Sequence, residues 1–474
     1  MTGTGGHTPQ DSVERALAAA RCDDCVVIAE ESSTANLRWA GNTLTTNGIA
    51  QARRLTVVAI QRQGEAANVG VVSRIGAREE QIEELVRAAE AAAAQSSPAE
   101  DAKPLLGPDS PGVCTGTGGA SWDDPAQYTE IGVFRAFTTA LGGAFDQAAA
   151  RDQKLYGYAE HDLTSTFLGT SSGLRLRHDQ PAGKVELNAK SADLSRSTWS
   201  GVATRDFTDV DVTAMNDQLA RRIEWGGRRV ELPAGRYETL LPPGAMADLL
   251  TYMYWHTGAR DALDGRTVFS KAGGGTRIGE QLTGLPVTLR GDPREAGLEC
   301  APFVVAHVSR RDASVFDNGL ALQRSDWISE GRLTALQQTR YSAELSGQPV
   351  TPGIGNLIFE SSRDSLPTLE DMIAATQRGL LITCLWYVRE VDPQTLLLTG
   401  LTRDGVYLVE NGEVTAEVNN FRFNETPVGM LSRLAEVGRS APTLPRELND
   451  YFSRVAMPPG RVMDFNMSSV SQAS

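Results

Sequence analysis

TGLTRDGVYLVENGEV, residues 399–414, sets two turn-forming pairs, Asp404-Gly405 and Asn411-Gly412, between short runs rich in β-branched and aromatic side chains. Such pairs reach positive φ at low cost, and between apolar runs they mark tight hairpins. The stretch predicts an antiparallel meander of LLLTGLT, VYLVE and EVTAEV. Upstream, LLITCLWYVREV (380–391) reads as one long strand. Thr368 caps a helix with Glu370 and Asp371 in its first turn, ended by Gly379. Downstream, Thr426-Pro427 opens a helix that Gly438 stops.

The N-terminal half mixes the same elements with longer helices. Val13, Ala16, Leu17 and Ala20 share one face of a helix over Asp11–Arg21, where Asp11 and Glu14 have capping-box spacing. A strand follows at Cys25–Glu30. Residues 44–75 alternate, with turn signals at Asn47-Gly48 and Gly64, and a helix spans Arg78 to about Ala94. Residues 95–125 are rich in Pro, Gly and Ser and read as a mobile surface linker. A helix over Pro125–Ala150 precedes strands at Lys154–His161, Thr164–Gly169, Leu174–His178 and Lys184–Ala189, and a helix at Asp209–Arg222. The expected class is α+β. An N-terminal α/β domain, 1–225, carries helices on a small sheet, and a C-terminal domain, 226–474, is dominated by antiparallel β-sheet or a barrel with covering helices.

The chain's 474 residues are 41% hydrophobic and 22% charged, enough for a large core. A formal net charge of −14 argues against nucleic acid or an anionic membrane as partner. MTGTGGHTPQDS lacks the basic start and apolar run of a signal peptide, and no apolar stretch has membrane-spanning length, so a cytoplasmic location is expected. Five cysteines, at 22, 25, 114, 300 and 384, make no disulfide framework. Cys22 and Cys25 form a single CxxC, which lacks the ligands of a zinc knuckle and leaves a redox pair or two structural thiols.

Three stretches invite chemistry. Gly169-Thr170-Ser171-Ser172-Gly173 matches GxSxG, but a nucleophile elbow needs strand, turn and helix, whereas both flanks here alternate like strands. A hairpin turn is the simpler reading, and a hydrolase using Ser171 or Ser172, with His161 or His178 nearby in sequence, stays as the alternative. Gly273-Gly274-Gly275-Thr276-Arg277-Ile278-Gly279 has no following Lys-Ser/Thr and reads as a loop rather than a phosphate cradle. In LLTYMYWHTGARDAL (249–263), the positions of Met246, Leu249, Leu250, Met253 and Tyr254 describe a buried helical stripe, with His256 on the side of Leu249, Tyr252 and Met253.

TFLGTSSGLRLR (166–177), PPGAMADLLTYMYW (242–255), TLEDMIAATQRGLLIT (368–383) and TGLTRDGVYLVENGEV (399–414), in that order, resemble the TldD/PmbA family, and within it the PmbA (TldE) branch. The resemblance implies a zinc peptidase in which one type of subunit, TldD, carries HExxxH on a helix, a cysteine near its C-terminus and a glutamate acting as general base. Laid on this helix with its second histidine at His256, the motif puts Thr251 at the first histidine and Tyr252 at the glutamate. The last cysteine is Cys384, far from the tail. No catalytic residue and no metal ligand is therefore expected in this chain.

What the resemblance implies is a non-catalytic subunit of a cytoplasmic heteromeric metalloprotease. It would pair with a zinc-bearing TldD-type subunit to cleave unfolded or extended peptides. A homodimeric peptide-binding protein is a further alternative, and strand edges of the β-rich second half would hold peptide by backbone pairing.

Overall fold

The computed structural model describes residues 7–115 and 121–471. In chain order, α1 (Pro9–Ala19) leads to β1 (Asp24–Trp39), β2 (Leu44–Gln63), β3 (Ala66–Ile75), α2 (Ile82–Gln95), α3 (Arg135–Ala150), β4 (Gln153–Thr170), β5 (Arg175–Ser191), β6 (Ser197–Thr204) and α4 (Val212–Trp225). The six strands form one antiparallel sheet ordered β3-β2-β1-β4-β5-β6.

The sheet is not the small one expected. The two short strands predicted at 154–161 and 164–169 are the single strand β4, and 174–178 and 184–189 are joined in β5. Asp162 and Pro181 do not interrupt them, because β4 is paired along its length by β1 on one side and β5 on the other. Asn47-Gly48 is not a turn either. Both residues lie inside β2, opposite Leu37 and Asn36, and the chain reverses instead at Gly41-Asn42, both with positive φ. The turn at Gly64 forms as expected. The helix cap differs too: Thr8 and Asp11 make the capping box of α1, in place of Asp11 and Glu14.

Alternation along β1 distributes its side chains between two environments. Val27 and Ala29 pack with Val13, Leu85 and Val86 of α1 and α2, while Ala35, Leu37 and Trp39 pack with Phe137, Leu141, Leu219 and Ile223 of α3 and α4. The opposite face presents Val26 and Ile28, which meet Leu168, Leu176, Phe303 and Phe316. Helix α2 lies so close to β3 that a Cβ built on Gly70 would sit 2.1 Å from the Ala89 carbonyl oxygen and 2.2 Å from the Ala93 nitrogen. Backbone cannot swing aside as a side chain can. Gly70→Ala is therefore expected to cost about 1–3 kcal/mol in overpacking; a denaturant midpoint equal to the parent's would contradict this contact.

Beyond α4 come β7 (Arg229–Val230), β8 (Gly235–Leu241), α5 (Pro243–Trp255), α6 (Ala259–Leu263), β9 (Val287–Gly291), β10 (Ser325–Ser329), β11 (Arg332–Leu333), α7 (Arg340–Ser346) and β12 (Leu357–Ser361). They are followed by α8 (Leu369–Ala374), β13 (Arg378–Ile382), β14 (Leu385–Asp392), β15 (Leu397–Thr402), β16 (Val406–Glu410), β17 (Glu413–Val418), β18 (Phe421–Glu425), α9 (Pro427–Ser432), β19 (Leu434–Val437), β20 (Ala441–Thr443), β21 (Val455–Met457) and β22 (Gly460–Val470). One sheet runs β11-β10-β9-β12-β21-β20, the other β14-β15-β18-β22-β8-β13-β16-β17-β7, with β19 on β22. Both are open among the described residues, so the barrel alternative gives way to two sheets, mostly antiparallel.

The meander differs from expectation in its connections. Asn411-Gly412 is the β16–β17 hairpin, but Asp404-Gly405 joins strands that do not pair: β15 lies between β14 and β18, while β16 pairs with β13 and β17. The run 380–391 breaks after Ile382, since Cys384 turns inward and donates to the Arg403 carbonyl at 2.7 Å. Thr368 caps α8 through a box with Asp371, yet α8 ends at Ala374, and Gly379 belongs to β13. Thr426 caps α9, which ends at Ser432.

Residues 95–115 are anchored at several points in the stretch read as a linker: Pro98 bridges to Asn68, Val113 bridges to Leu320, and Leu106 is buried. Residues 116–120 of that linker, and the expected features at 1–6 and 472–474, lie outside the described residues. Among the described residues no helix is long and apolar enough to cross a membrane.

Candidate functional site

Helix α5 is apolar nearly all round and is packed among β8, α9, β20 and β21, with Trp255 at its C-terminal end exposed. Met246, Leu249, Leu250, Met253 and Tyr254 are buried as expected. The helix runs without a bulge to Trp255, and His256 is its C-terminal cap residue. The His256 ring stacks on Tyr252 at 5.6 Å between centroids and 12° between planes. Its Nδ1 lies 2.9 Å from the Tyr252 carbonyl oxygen, and its Nε2 pairs with the Glu390 carboxylate. Both ring nitrogens are thus committed. Thr251, at the position of the first histidine of the motif, is fully buried, and its hydroxyl has no partner among the described residues.

The donor set does not fit zinc. A catalytic zinc takes three protein ligands, and among the described residues no three His, Cys, Asp or Glu side chains converge in that way. What α5 holds instead is Asp248, a fully buried carboxyl whose Oδ1 accepts from the backbone N–H groups of Glu447 at 3.0 Å and Leu448 at 3.2 Å. Burial pushes its pKa well above the ordinary carboxylate range, against those two hydrogen bonds. Next to this segment, Arg446 donates to Cys384 Sγ at 2.8 Å, pairs with Asp404 at 2.7 Å and lies between the rings of Trp199 and Trp386. Burial alone would lower the Arg446 pKa, but Cys384 and Asp404 outweigh it and the net direction is upward. Since Trp199 belongs to β6, this cluster ties the two halves together.

The structure separates the groups a serine hydrolase would need. Ser171 and Ser172 sit in the β4–β5 hairpin, where Gly173 has φ +101°. Ser171 Oγ accepts from the Cys25 N–H at 2.9 Å, and Ser172 Oγ donates to the Leu106 carbonyl at 2.6 Å. His178 is opposite Thr166, five residues along β4 from Ser171, or roughly 17 Å at ~3.4 Å per residue. His161 is farther still, with its ring nitrogens at 2.7 Å from Thr129 Oγ1 and 2.8 Å from the Arg205 carbonyl.

Cys22 and Cys25 are free thiols in contact. A hydrogen bond from Cys25 lowers the Cys22 pKa, while that bond and burial raise Cys25. Gly273, Gly274, Gly275 and Gly279 all have positive φ, and the first three lie in a turn closed by Lys271 N–H to the Gly275 carbonyl at 3.0 Å. They serve a tight turn.

A concave site forms where the halves face each other. Moving across the sheet, Ile28, Leu168 and Leu176 are in register, and two residues on, Glu30, Thr166 and His178 form the next row of the same face. The first row is sealed against Phe303 and Phe316; the second lines a cavity of about 460 Å³ together with Cys300, His307 and Arg454. A neighbouring cavity of about 490 Å³ shares His178, Gln180 and Arg454, and a third of about 260 Å³ shares Arg454 and Ser453. Volumes of this size suit small ligands or a few residues of peptide. Strand β5 contributes an open edge here, because β6 pairs with it only from Gly183 onward. His178 is held below its ordinary pKa, by burial first and by Arg454 and Arg205 in addition. Burial likewise raises Cys300 to about 11.

Sequence reasoning missed Asp248, Arg446, Glu390 and Arg454. Asp248 alone left a signal, a single charge inside the apolar run PPGAMADLLTYMYW; the others are ordinary charged residues until the fold brings them together.

Three open sheets with covering helices define an α+β protein. Its fold is similar to that of TldE from Thermococcus kodakarensis, with a TM-score of 0.75 and 15% identity over 96% of this chain and 98% of that one. It is also similar to a protein assigned as a modulator of DNA gyrase from Thermotoga maritima, TM-score 0.73 and 16% identity over 96% and 99%. A protein so assigned from Bacteroides thetaiotaomicron gives 0.73 and 15% over 98% of both chains. No curated protein sequence matches the chain. Residues 234–469 match the PmbA/TldA metallopeptidase C-terminal domain, and the chain belongs to the TldD/PmbA family.

Proposed function

We propose that this chain is a TldE-type, non-catalytic subunit of a cytoplasmic zinc metalloprotease. It forms a heterodimer with a TldD-type HExxxH subunit, which carries the zinc, and helps to hold the unfolded or extended peptides that the complex cleaves. The observation that carries this reading is α5: where the family motif would place its two histidine ligands it has a buried threonine and a histidine already bound to Tyr252 and Glu390, and where it would place the general base it has a tyrosine. The open β5 edge beside the interdomain cavities supports a role in holding peptide, and it lies in the first half of the chain rather than the second. The net charge of −14 speaks against nucleic acid as a direct partner.

The test is zinc content and peptidase activity of the chain purified alone and mixed with an HExxxH-bearing relative, with and without a chelator. The expected result is little zinc and no cleavage alone, and chelator-sensitive cleavage in the mixture that Ser171→Ala and Ser172→Ala leave unchanged. Stoichiometric zinc with activity in the isolated chain would overturn the proposal. Chelator-resistant cleavage lost in the serine variants would establish the hydrolase alternative, and a homodimer that binds peptide but never joins the relative would establish the other.

A further inference from the structure

We propose that Arg454 is an anion-binding residue that receives a carboxylate group of a peptide lodged in the interdomain cavity. The peptide part deepens the function proposed above; the carboxylate part rests on the surroundings of Arg454 itself.

A guanidinium stays charged in a protein, and taking it out of water is costly unless a counter-charge or a full set of acceptors replaces the solvent. Elsewhere in this chain arginines that are buried or half-buried follow that rule. Arg177 pairs with Asp179, Arg290 with Glu295 and Glu360, Arg446 with Asp404, and Arg461 with Glu238 and Glu436. Arg454 does not. The side chain is half-buried; its Nε donates to the Gly355 carbonyl at 3.1 Å, and among the described residues it makes no ion pair and its two terminal nitrogens have no hydrogen bond. Burial depresses its pKa, opposed only by Cys300. Arg222 also lacks a carboxylate, but its Nη1 is bound to the Trp199 carbonyl at 2.6 Å and it borders none of the three cavities.

Arg454 borders all three. No carboxylate lining the three cavities forms an ion pair with Arg454 among the described residues: Glu299 pairs with Arg205, Asp179 with Arg177, Asp450 with Lys184 and Asp317 with Arg340, and Asp312 does not reach it either. The missing counter-charge would therefore come from a ligand. The two free terminal nitrogens present a planar fork matched to a carboxylate. A phosphate dianion fits less well, because the nearby imidazole of His178 is held neutral by burial and three carboxylates ring the cavity. The open β5 edge at His178–Ala182 runs along the same wall, which favours a carboxylate carried on an extended peptide over a free small anion.

Binding to the full chain is measured calorimetrically with three peptides: acetyl-tetraalanine with a free C-terminal carboxylate, the same peptide amidated, and an amidated version with one alanine changed to glutamate. The free acid is expected to bind at least tenfold more tightly than the amide, and Arg454→Gln to remove that difference. Arg454→Lys, which keeps the charge and loses the fork, is expected to fall between, and the comparison of acid with amide on the parent chain needs no variant. If the glutamate peptide matches the free acid, the site accepts a side-chain carboxylate, which also supports the assignment. Equal binding of acid and amide overturns the role of Arg454 while leaving a peptide-binding cavity. Failure of every peptide to bind overturns this inference alone, because the subunit role is decided separately by reconstituted cleavage.

Discussion

Arg446→Ala is expected to destabilise the chain by about 3–5 kcal/mol, the cost of removing one partner from a buried ion pair. The Asp404 carboxylate would remain in the interior with the Ser197 hydroxyl and a distant Arg403 at 3.8 Å. Cys384 would lose its donor, and Trp199 and Trp386 would lose the guanidinium between them. Because Trp199 and Ser197 belong to the first half of the chain and Trp386 and Asp404 to the second, the loss should appear as loosened docking as well as a lower denaturant midpoint. Tryptophan fluorescence reports both. The double variant Arg446→Met, Asp404→Asn removes both charges, keeps at 404 a residue that tolerates its positive φ, and should recover part of the loss. A change below about 1 kcal/mol in the single variant would mean that solvent reaches the cluster.

Asp248→Ala should be nearly as damaging, since it leaves the Glu447 and Leu448 amides without an acceptor, at about 1–3 kcal/mol each. Asp248→Asn keeps an acceptor oxygen in place and should change stability by no more than about 1 kcal/mol near pH 4. The two variants differ most clearly in their pH dependence. The pKa of Asp248 is raised in the folded chain, so its contribution to stability is complete below the unfolded value of about 3.9 and is lost as pH rises through the folded value. Asparagine has no such loss. The stability of Asp248→Asn relative to the parent should therefore rise from about pH 4 toward neutral pH. A flat difference across that range would show that the carboxyl ionises in the fold as it does in water.

Both predictions concern residues whose importance the sequence hides, and the reason is the same. Arg446 lies in APTLPRELND and Asp404 in a turn-forming Asp-Gly pair, 42 positions apart in the numbering, and no local pattern links them. The Asp-Gly pair was legible as a turn but not as a joint between non-pairing strands, because turn chemistry constrains φ and leaves the partner of each strand open. Asn47-Gly48 was misread for a related reason: pairing to β1 along its length holds the pair extended inside β2. At Gly41-Asn42 the same chemistry does form the turn, and the sequence offers no local means of choosing between them.

The sequence by itself determined the α+β class, the buried stripe of α5, the caps at Thr368 and Thr426, the Asn411-Gly412 and Ser172-Gly173 hairpins and the absence of an HExxxH motif. These depend on side-chain period, on φ preference and on residue identity, all of which act within a few positions of the chain. The tertiary structure alone decided the order of strands in the three sheets, the commitment of His256 to Glu390, the burial of Asp248 and the isolation of Arg454 among three cavities. Burial and charge pairing depend on which distant segments meet, and that is settled only when the whole core packs.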